Sequence, residues 1–387
     1  MQIKQSYKMK IFVIGPIIPF TGGISHSNTT LCRNLSKRND VTAISFSMMF
    51  PKLFYPGDKQ ISGGKLKGVK FKQEFLLNTL NPISWVRIVN KIRKEKPDWV
   101  VFQWWHTYFF PGYFFIALFS RLFGAKVNVV CQNVLPHEGG LAKVLIHKPF
   151  SKLFFTMVNH LVTLSSSDLK ELKSFFKKAN ADFIIEGTYG GVTGKAFLSK
   201  EKALSALKLP KKEIVLFFGA VRPYKDLEML LRAISIASKK RKNLLLIIAG
   251  AFWEPREIYD KMIKDLGIEK FVLIKEGYIP DTQIPLLFKA ADVAVLSHKS
   301  STESGIPQLA YAYNTPLIAT AVGGNVDLID DKKTGLLVSA ENAEEMAKAI
   351  IEFFEKKLHS SFKREMKTKE KLFKWDKEKE KTFFGKK

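Results

Sequence analysis

The chain has 387 residues, enough at about 100–200 residues per domain for two domains. It is 46% hydrophobic and 25% charged, ordinary globular usage that excludes a mainly disordered, collagenous or coiled-coil chain, and two cysteines, Cys32 and Cys131, exclude a disulfide framework or a Cys-rich zinc site and fit a reducing compartment. With 62 Lys+Arg against 36 Asp+Glu the formal net charge is +26, a field that attracts nucleic acid, anionic lipid or phosphorylated substrates but is silent on fold.

The first ten residues are polar and basic, and the apolar stretch after them runs into Pro16, Pro19 and Gly22. A signal peptide is not expected from that pattern. Lys10–Pro16 reads as a strand, Thr21-Gly22-Gly23 as a tight loop and Ser25–Lys37 as a helix. Further apolar strands are expected near Val41–Phe46, Trp99–Gln103, Val127–Val130 and His160–Leu164. No Lys, Arg, Asp or Glu occurs from Trp99 to Ser120. That is near the roughly 20 residues of a spanning helix, but Gln103, His106, Pro111 and Gly112 interrupt it. It reads better as a buried strand, a turn and a helix from Gly112 to Phe123.

The second half alternates more clearly. Ile214–Gly219 is a continuous apolar run ending in glycine, and Asp226 then caps a helix with Leu227, Leu230, Leu231 and Ile234 at helical spacing. Strands are expected at Leu244–Gly250, Phe271–Gly277, Val293–Ser297, Pro316–Thr320 and Gly335–Val338, with helices at Pro255–Leu266, Asp281–Ala291, Ile306–Tyr313 and Asn342–Lys356. Such alternation means parallel sheets with both faces covered. The fold class is therefore α/β, with two doubly wound halves. Domains are expected at 1–190 and 191–355. A basic tail, 356–387, is expected to be helical and to pack back on the body through Phe373, Trp375, Phe383 and Phe384. Ligands of open parallel sheets bind at the carboxyl ends of strands, so the cleft between the halves is the default site.

Three segments carry chemistry. In Gly219-Ala-Val-Arg222-Pro-Tyr-Lys225 a strand ends in a loop with a guanidinium and an ammonium three residues apart. Arginine binds phosphate bidentately and lysine as a point charge, so the pair can neutralise a diphosphate. No Asp-x-Asp metal clamp occurs in the chain. Ser300 to Ile306 places hydroxyls and Ser304-Gly305 before a helix start, an arrangement suited to an anion or simply to capping. Thr320-Ala-Val-Gly323-Gly324 ends another strand in a glycine pair, which admits close approach of a ligand or of backbone.

Together these segments resemble the donor half of the GT-B glycosyltransferases, in particular glycosyltransferase family 4 (group 1). The match comprises Gly-x-x-Arg-x-x-Lys at Gly219 to Lys225, Pro-x-Ile-Ala-Thr-x-x-Gly-Gly at Pro316 to Gly324, and Thr-Gly-Leu-Leu-Val at Thr334 to Val338, in the family's order and spacing. The resemblance implies a GT-B fold with two Rossmann-like domains facing across a cleft: residues 1–190 bind acceptor and 191–355 bind nucleotide sugar. It implies a retaining, metal-independent hexosyltransferase that takes sugar from a UDP- or GDP-linked donor to a glycan or lipid-linked acceptor. No cofactor is expected beyond that co-substrate.

By the same resemblance, Arg222 and Lys225 hold the donor diphosphate, with Gly22, Gly23, Gly219, Ser304, Gly305, Ile306, Gln308, Thr320, Gly323 and Gly324 around the donor. His26, Gln132, Trp105 and His106 are expected on the acceptor side. The acidic pair of many members falls here on Ser301 and Leu309; Glu303 is the expected substitute for the first, and Gln308 the nearest polar candidate for the ribose. Gln132 stands where many members have a histidine, and His137 is its expected catalytic replacement.

The charge and the aromatic stretch Trp104–Phe119 point to a cytoplasmic protein held peripherally at an anionic membrane surface. The alternative is a degenerate GT-B protein that binds without turnover. A nucleic-acid partner is not expected, because no basic–aromatic module is present. An epimerase would need more carboxylates, and a dehydrogenase would need Gly-x-Gly-x-x-Gly.

Overall fold

The computed structural model describes residues 8–51, 60–61, 69–135, 143–190, 199–300 and 304–385. The chain forms two compact units: residues 1–55, 60–187 and 375–387 make the first, and 56–59 and 188–374 the second.

The first unit is built on seven parallel strands: β1 (Lys10–Ile14), β2 (Asp40–Met48), β3 (Lys72–Asn78), β4 (Trp99–Trp104), β5 (Lys126–Cys131), β6 (His160–Thr163) and β7 (Ala181–Phe183), in the order β3-β2-β1-β4-β5-β6-β7. The second has six: β8 (Glu213–Phe218), β9 (Leu244–Gly250), β10 (Val272–Glu276), β11 (Val293–Leu296), β12 (Leu317–Thr320) and β13 (Gly335–Val338), in the order β10-β9-β8-β11-β12-β13. All pairings are parallel. Each order is that of a doubly wound sheet, with the direction of winding reversing beside the first strand of the unit.

The central strands are continuous apolar runs because both faces are covered. In β8, Val215 and Phe217 pack with Leu230, Ile234, Ile350 and Phe353 on one face. Ile214 and Leu216 pack with Phe288 and Leu309 on the other. Two strands lie outside the sequence expectation, β3 and β7. Both are edge strands, paired on one side only. β3 reads KQEFLLN and is only partly buried, so it lacks the apolar run that marks a central strand.

The basic tail does not behave as one element. Residues up to 374 belong to the second unit, where the Phe373 ring lies 4.5 Å from that of Tyr311. Residues from Trp375 belong to the first. There Phe384 lies 4.8 Å from Trp99, Glu380 accepts from Arg38 (3.1 Å) and Asn39 (2.8 Å), and the Phe383 carbonyl meets His160 Nδ1 at 3.1 Å. The split follows from which apolar residues each unit can bury.

Candidate functional site

In the second unit the carboxyl ends of β8 and β11 lie side by side at the reversal of winding, the place where open sheets of this kind bind ligands. β8 runs into Gly219, whose φ of +100° favours glycine. A Cβ there would stand 2.8 Å from Lys225 Nζ and 3.9 Å from Ile306 Cδ1. The bare backbone therefore makes room for the ammonium and brings the start of the helix Gly305–Tyr313 to the same spot.

The loop is tied on two sides. Val221 N donates to Ala251 O (2.8 Å) and Trp253 N donates to Val221 O (3.1 Å), joining it to the end of β9. Ser297 Oγ donates to the Lys225 carbonyl (2.7 Å), and Lys299 N to the Tyr224 carbonyl (2.8 Å), joining it to the end of β11. The Tyr224 and His298 rings meet edge to face at 5.7 Å. Asp226, at φ +50°, accepts from Met229 N at 3.2 Å and caps the helix Leu227–Lys240, so the loop ends in a rigid element.

On this frame sit two cations. Arg222 lies flat over the Trp253 ring, its guanidinium carbon 3.5 Å from the centroid. Lys225 is buried at 9% exposure. Burial, and next the charge of Arg222, pull its ammonium down from the usual lysine range to about 8. Neither has an ion-pair partner among the described residues, whereas Arg241 is bonded to Glu213 and Arg256 to Asp260 and Glu276. A buried charge without a partner is costly; a bound anion would remove that cost.

Other expected donor-side residues fall into two groups. Ser304 caps the helix Gly305–Tyr313, accepting from Ile306 N at 3.3 Å, and Gly305 lies against Tyr189, where a Cβ would meet the ring at 2.8 Å. Gly323 (φ +53°) and Gly324 follow β12 and lead into the helix Asn325–Leu328. Gln308 and Thr320, by contrast, are wholly buried. The Thr320 hydroxyl donates to the His298 carbonyl (2.8 Å), and Asn325 Nδ2 donates to the Thr320 carbonyl (3.0 Å). Thr320 thus braces the loops, and neither side chain is exposed at the surface of the unit. Ser301, Glu303 and His137 lie outside the described residues. Trp253, Ser297 and His298 were not singled out by sequence. The one signal for Trp253 is an aromatic three residues past the glycine that ends β9.

In the first unit Gly22 (φ +104°) and Gly23 stand exposed at the start of the helix Gly23–Leu35, with open space where their Cβ atoms would be. His26 lies in its first turn, nearly buried. This helix buries Ser25, Ser27, Asn28 and Thr29, an unusual polar run whose partners explain it. Gln132 Nε2 donates to Ser27 Oγ (2.6 Å) and to Gln103 Oε1 (2.8 Å); Gln103 Nε2 donates to Asn28 Oδ1 (2.9 Å); Asn28 Nδ2 donates to the Pro16 carbonyl (3.0 Å). Ser27 Oγ also donates to the buried Glu186. Both amide hydrogens of Gln132 are thus spent inside the unit.

His106 Nδ1 accepts from Tyr108 N (3.0 Å) and caps a short turn; burial, and next the neighbouring His147, lower its pKa. The Trp105 ring lies 4.2 Å from that of Phe109, tilted at 46°. Much of the stretch expected to meet a membrane is core: Trp104, Phe109, Tyr113, Ile116 and Ala117 are buried. Among the described residues no helix is long and apolar enough to cross a membrane, and no group of three or more His, Cys, Asp or Glu is placed to hold a metal.

Residues 199–373 match the family model of the glycosyl transferases group 1. A D-inositol 3-phosphate glycosyltransferase of Saccharomonospora viridis is 33% identical over 167 residues, which cover 39% of this chain and 37% of that protein. The aligned stretch thus spans little more than a third of that relative's length. Two solved structures resemble nearly the whole chain. The Anabaena protein HepE, in complex with UDP, has a TM-score of 0.72 at 14% identity and covers 95% of this chain and 96% of its own. Sucrose-phosphate synthase of Thermosynechococcus elongatus has a TM-score of 0.72 at 15% identity and covers 95% of both chains.

Proposed function

We propose, from the premise that residues 199–373 form a group 1 glycosyl transferase domain within a GT-B fold, that the chain transfers a hexose from a nucleoside-diphosphate sugar to an acceptor hydroxyl. The observation that carries this reading is the uncompensated pair Arg222 and Lys225 at the carboxyl end of β8. A diphosphate supplies the missing negative charge. The donor base is proposed to be uracil or guanine, and the Anabaena relative with bound UDP supports the first.

Arg222 and Lys225 bind the diphosphate oxygens and stabilise the charge that grows on them as the sugar leaves. The bond from the sugar's anomeric carbon to the diphosphate breaks, the bond to the acceptor oxygen forms on the same face, and the acceptor proton passes to the departing diphosphate. That course retains configuration and needs neither a protein base nor a metal, because two cations already neutralise the leaving group. Gly219, Ser304, Gly305, Ile306, Gly323 and Gly324 shape the donor side. Glu303 and His137 are the proposed partners for sugar and acceptor. The acceptor is proposed to be a glycan or a lipid-linked precursor at the inner face of a membrane.

Calorimetry with UDP, GDP and ADP, in the presence of a chelator and alongside Arg222→Ala, tests the donor site. One diphosphate should bind, and the variant should bind it at least tenfold more weakly. Release of that diphosphate from its hexose conjugates, with acceptor extract present, then tests turnover. Diphosphate binding without turnover on any acceptor would favour the non-catalytic alternative, which the non-acidic Ser301 and Leu309 recommend. Binding that is unaltered in Arg222→Ala would defeat the donor-site assignment.

A further inference from the structure

The first unit carries a face that none of the foregoing uses. Three helices lie side by side on it: Pro82–Glu95, Phe110–Leu122 and Lys148–Phe155, the last continuing from a turn of wider helix at Lys143–His147. Trp85 and Phe115 join the first two at 6.1 Å, and Phe110 and Phe150 join the second and third at 4.9 Å. Their outer sides are apolar. Leu80, Ile83 (63% exposed) and Val86 stand out around the first helix, and Leu122 (67%) at the end of the second. Leu145 (64%), Ile146, Phe150 and Leu153 stand out along the third, at spacings that place them on one side of it. Phe114, Phe115 and Phe119 fill the middle, half-buried. Scattered apolar residues on a surface mean little, but a contiguous set on adjoining helices marks an interaction surface.

The charge around that face is mostly positive. From Phe75 to Ser167 the chain holds ten Lys+Arg and only three acidic residues, Glu95, Asp98 and Glu138. Glu95 is already bonded to Lys91. Arg87, Arg121, Lys148 and Lys152 are exposed, with no carboxylate partner among the described residues. Arg121 donates to the Met157 carbonyl (3.1 Å) and Lys148 lies over the Phe175 ring, contacts that leave both charges unneutralised. Exposed apolar side chains flanked by such cations suit one chemistry above others: hydrocarbon beneath a layer of anionic headgroups.

We infer that this three-helix face is the surface by which the chain docks on an anionic bilayer, with Ile83, Leu122, Leu145 and Phe150 entering the acyl boundary and Arg87, Arg121, Lys148 and Lys152 meeting the headgroups. The inference deepens the proposed lipid-linked acceptor by naming the membrane contact, but it is tested without donor or acceptor. Loss of diphosphate binding in Arg222→Ala leaves it standing, and its own failure leaves the donor site standing.

The test is cosedimentation of the full chain with vesicles of phosphatidylcholine alone and of phosphatidylcholine with phosphatidylglycerol. Binding is expected to the mixed vesicles and to weaken at least tenfold between about 50 and 500 mM salt. Leu145→Ser with Phe150→Ser is expected to bind at least tenfold more weakly with its melting temperature within a few degrees of the parent. Lys148→Glu with Lys152→Glu should lose the preference for phosphatidylglycerol. Equal binding by parent and Leu145→Ser/Phe150→Ser overturns the inference, as does absence of parent binding at low salt. Sedimentation velocity covers the other occupant: a dimer of the parent that the same substitutions dissolve, without vesicle binding, assigns the face to self-association instead.

Discussion

The guanidinium of Arg222 lies 3.5 Å above the centroid of the Trp253 ring, the two residues coming from the loops that follow β8 and β9. The ring covers the guanidinium from one side. A stacked arginine is pre-ordered, so less freedom is lost when it binds phosphate. The stack thus belongs to the proposed diphosphate site by holding the arginine.

Trp253→Ala should therefore weaken diphosphate binding while leaving every phosphate-binding group present. A cation–π contact is worth about 0.5–2 kcal/mol, so an affinity loss of roughly 2–30-fold is expected by calorimetry, with Trp253→Phe retaining part of it. No change in affinity would mean that the ring does not orient the arginine.

Lys225→Met should stabilise the free protein and abolish diphosphate binding. The ammonium is buried without a carboxylate, and an apolar side chain of similar length removes that burden. Depression of the folded-state pKa from the ordinary lysine 10.5 to about 8 corresponds to a burden of roughly 2–4 kcal/mol. Thermal melting near pH 7 should rise by several degrees. A variant that melts lower and still binds UDP would contradict the assigned role.

The same depression sets two pH dependences. Between pH 8 and 10.5 the unfolded chain holds the Lys225 proton and the folded chain has released it. The unfolded state then binds more protons, so the Lys225 contribution to stability rises with pH across that window. The parent should gain on Lys225→Met there. Diphosphate binding runs the other way. A bound dianion raises the lysine pKa, so binding near pH 8–9 takes up a proton, and affinity falls as pH climbs past 8. Calorimetry in buffers of different ionisation enthalpy measures that proton.

Gly219→Ala should damage binding more than folding. The new methyl would crowd the movable end of Lys225, at 2.8 Å, and reach Ile306 Cδ1 only at ordinary contact distance, 3.9 Å; the positive φ adds about 1–2 kcal/mol. The ammonium is pushed from its seat, so affinity should fall tenfold or more while the fold survives. At Gly250 a Cβ would fall 2.1 Å from the Gly219 carbonyl oxygen. Gly250→Ala meets fixed backbone there and should unfold the unit at lower temperature than Gly219→Ala.

Gln132→His restores the residue type common at this position in the resembled family, yet it should lose stability without gaining turnover. The imidazole cannot donate to both Ser27 and Gln103, and a buried polar group left unpaired costs about 1–3 kcal/mol. Melting curves together with the transfer assay check both halves. A more active variant with unaltered melting would show that the Gln132 network is dispensable.

The sequence by itself determined the architecture and the central pair. Alternating apolar runs and amphipathic helices are local patterns, and they announce two doubly wound units because strands covered on both faces must be apolar throughout. Arg222 and Lys225 were legible for the same reason, being three residues apart after one strand and a glycine. Tertiary structure decided what depends on distant neighbours. Strand order set β8 beside both β9 and β11, which gave Arg222 its ring and tied the Lys225 carbonyl to Ser297. Burial put Gln308 inside the unit and tied Thr320 and Gln132 into internal hydrogen bonds, since a polar side chain inside a sheet's flank must first satisfy its own neighbours. The tail divided at Trp375 because each unit had a separate apolar seat to fill. Of the apolar stretch Trp104–Phe119 only part stays outside, beside exposed residues of two other helices, because helix packing, which no single stretch encodes, chooses which apolar side chains are left outside.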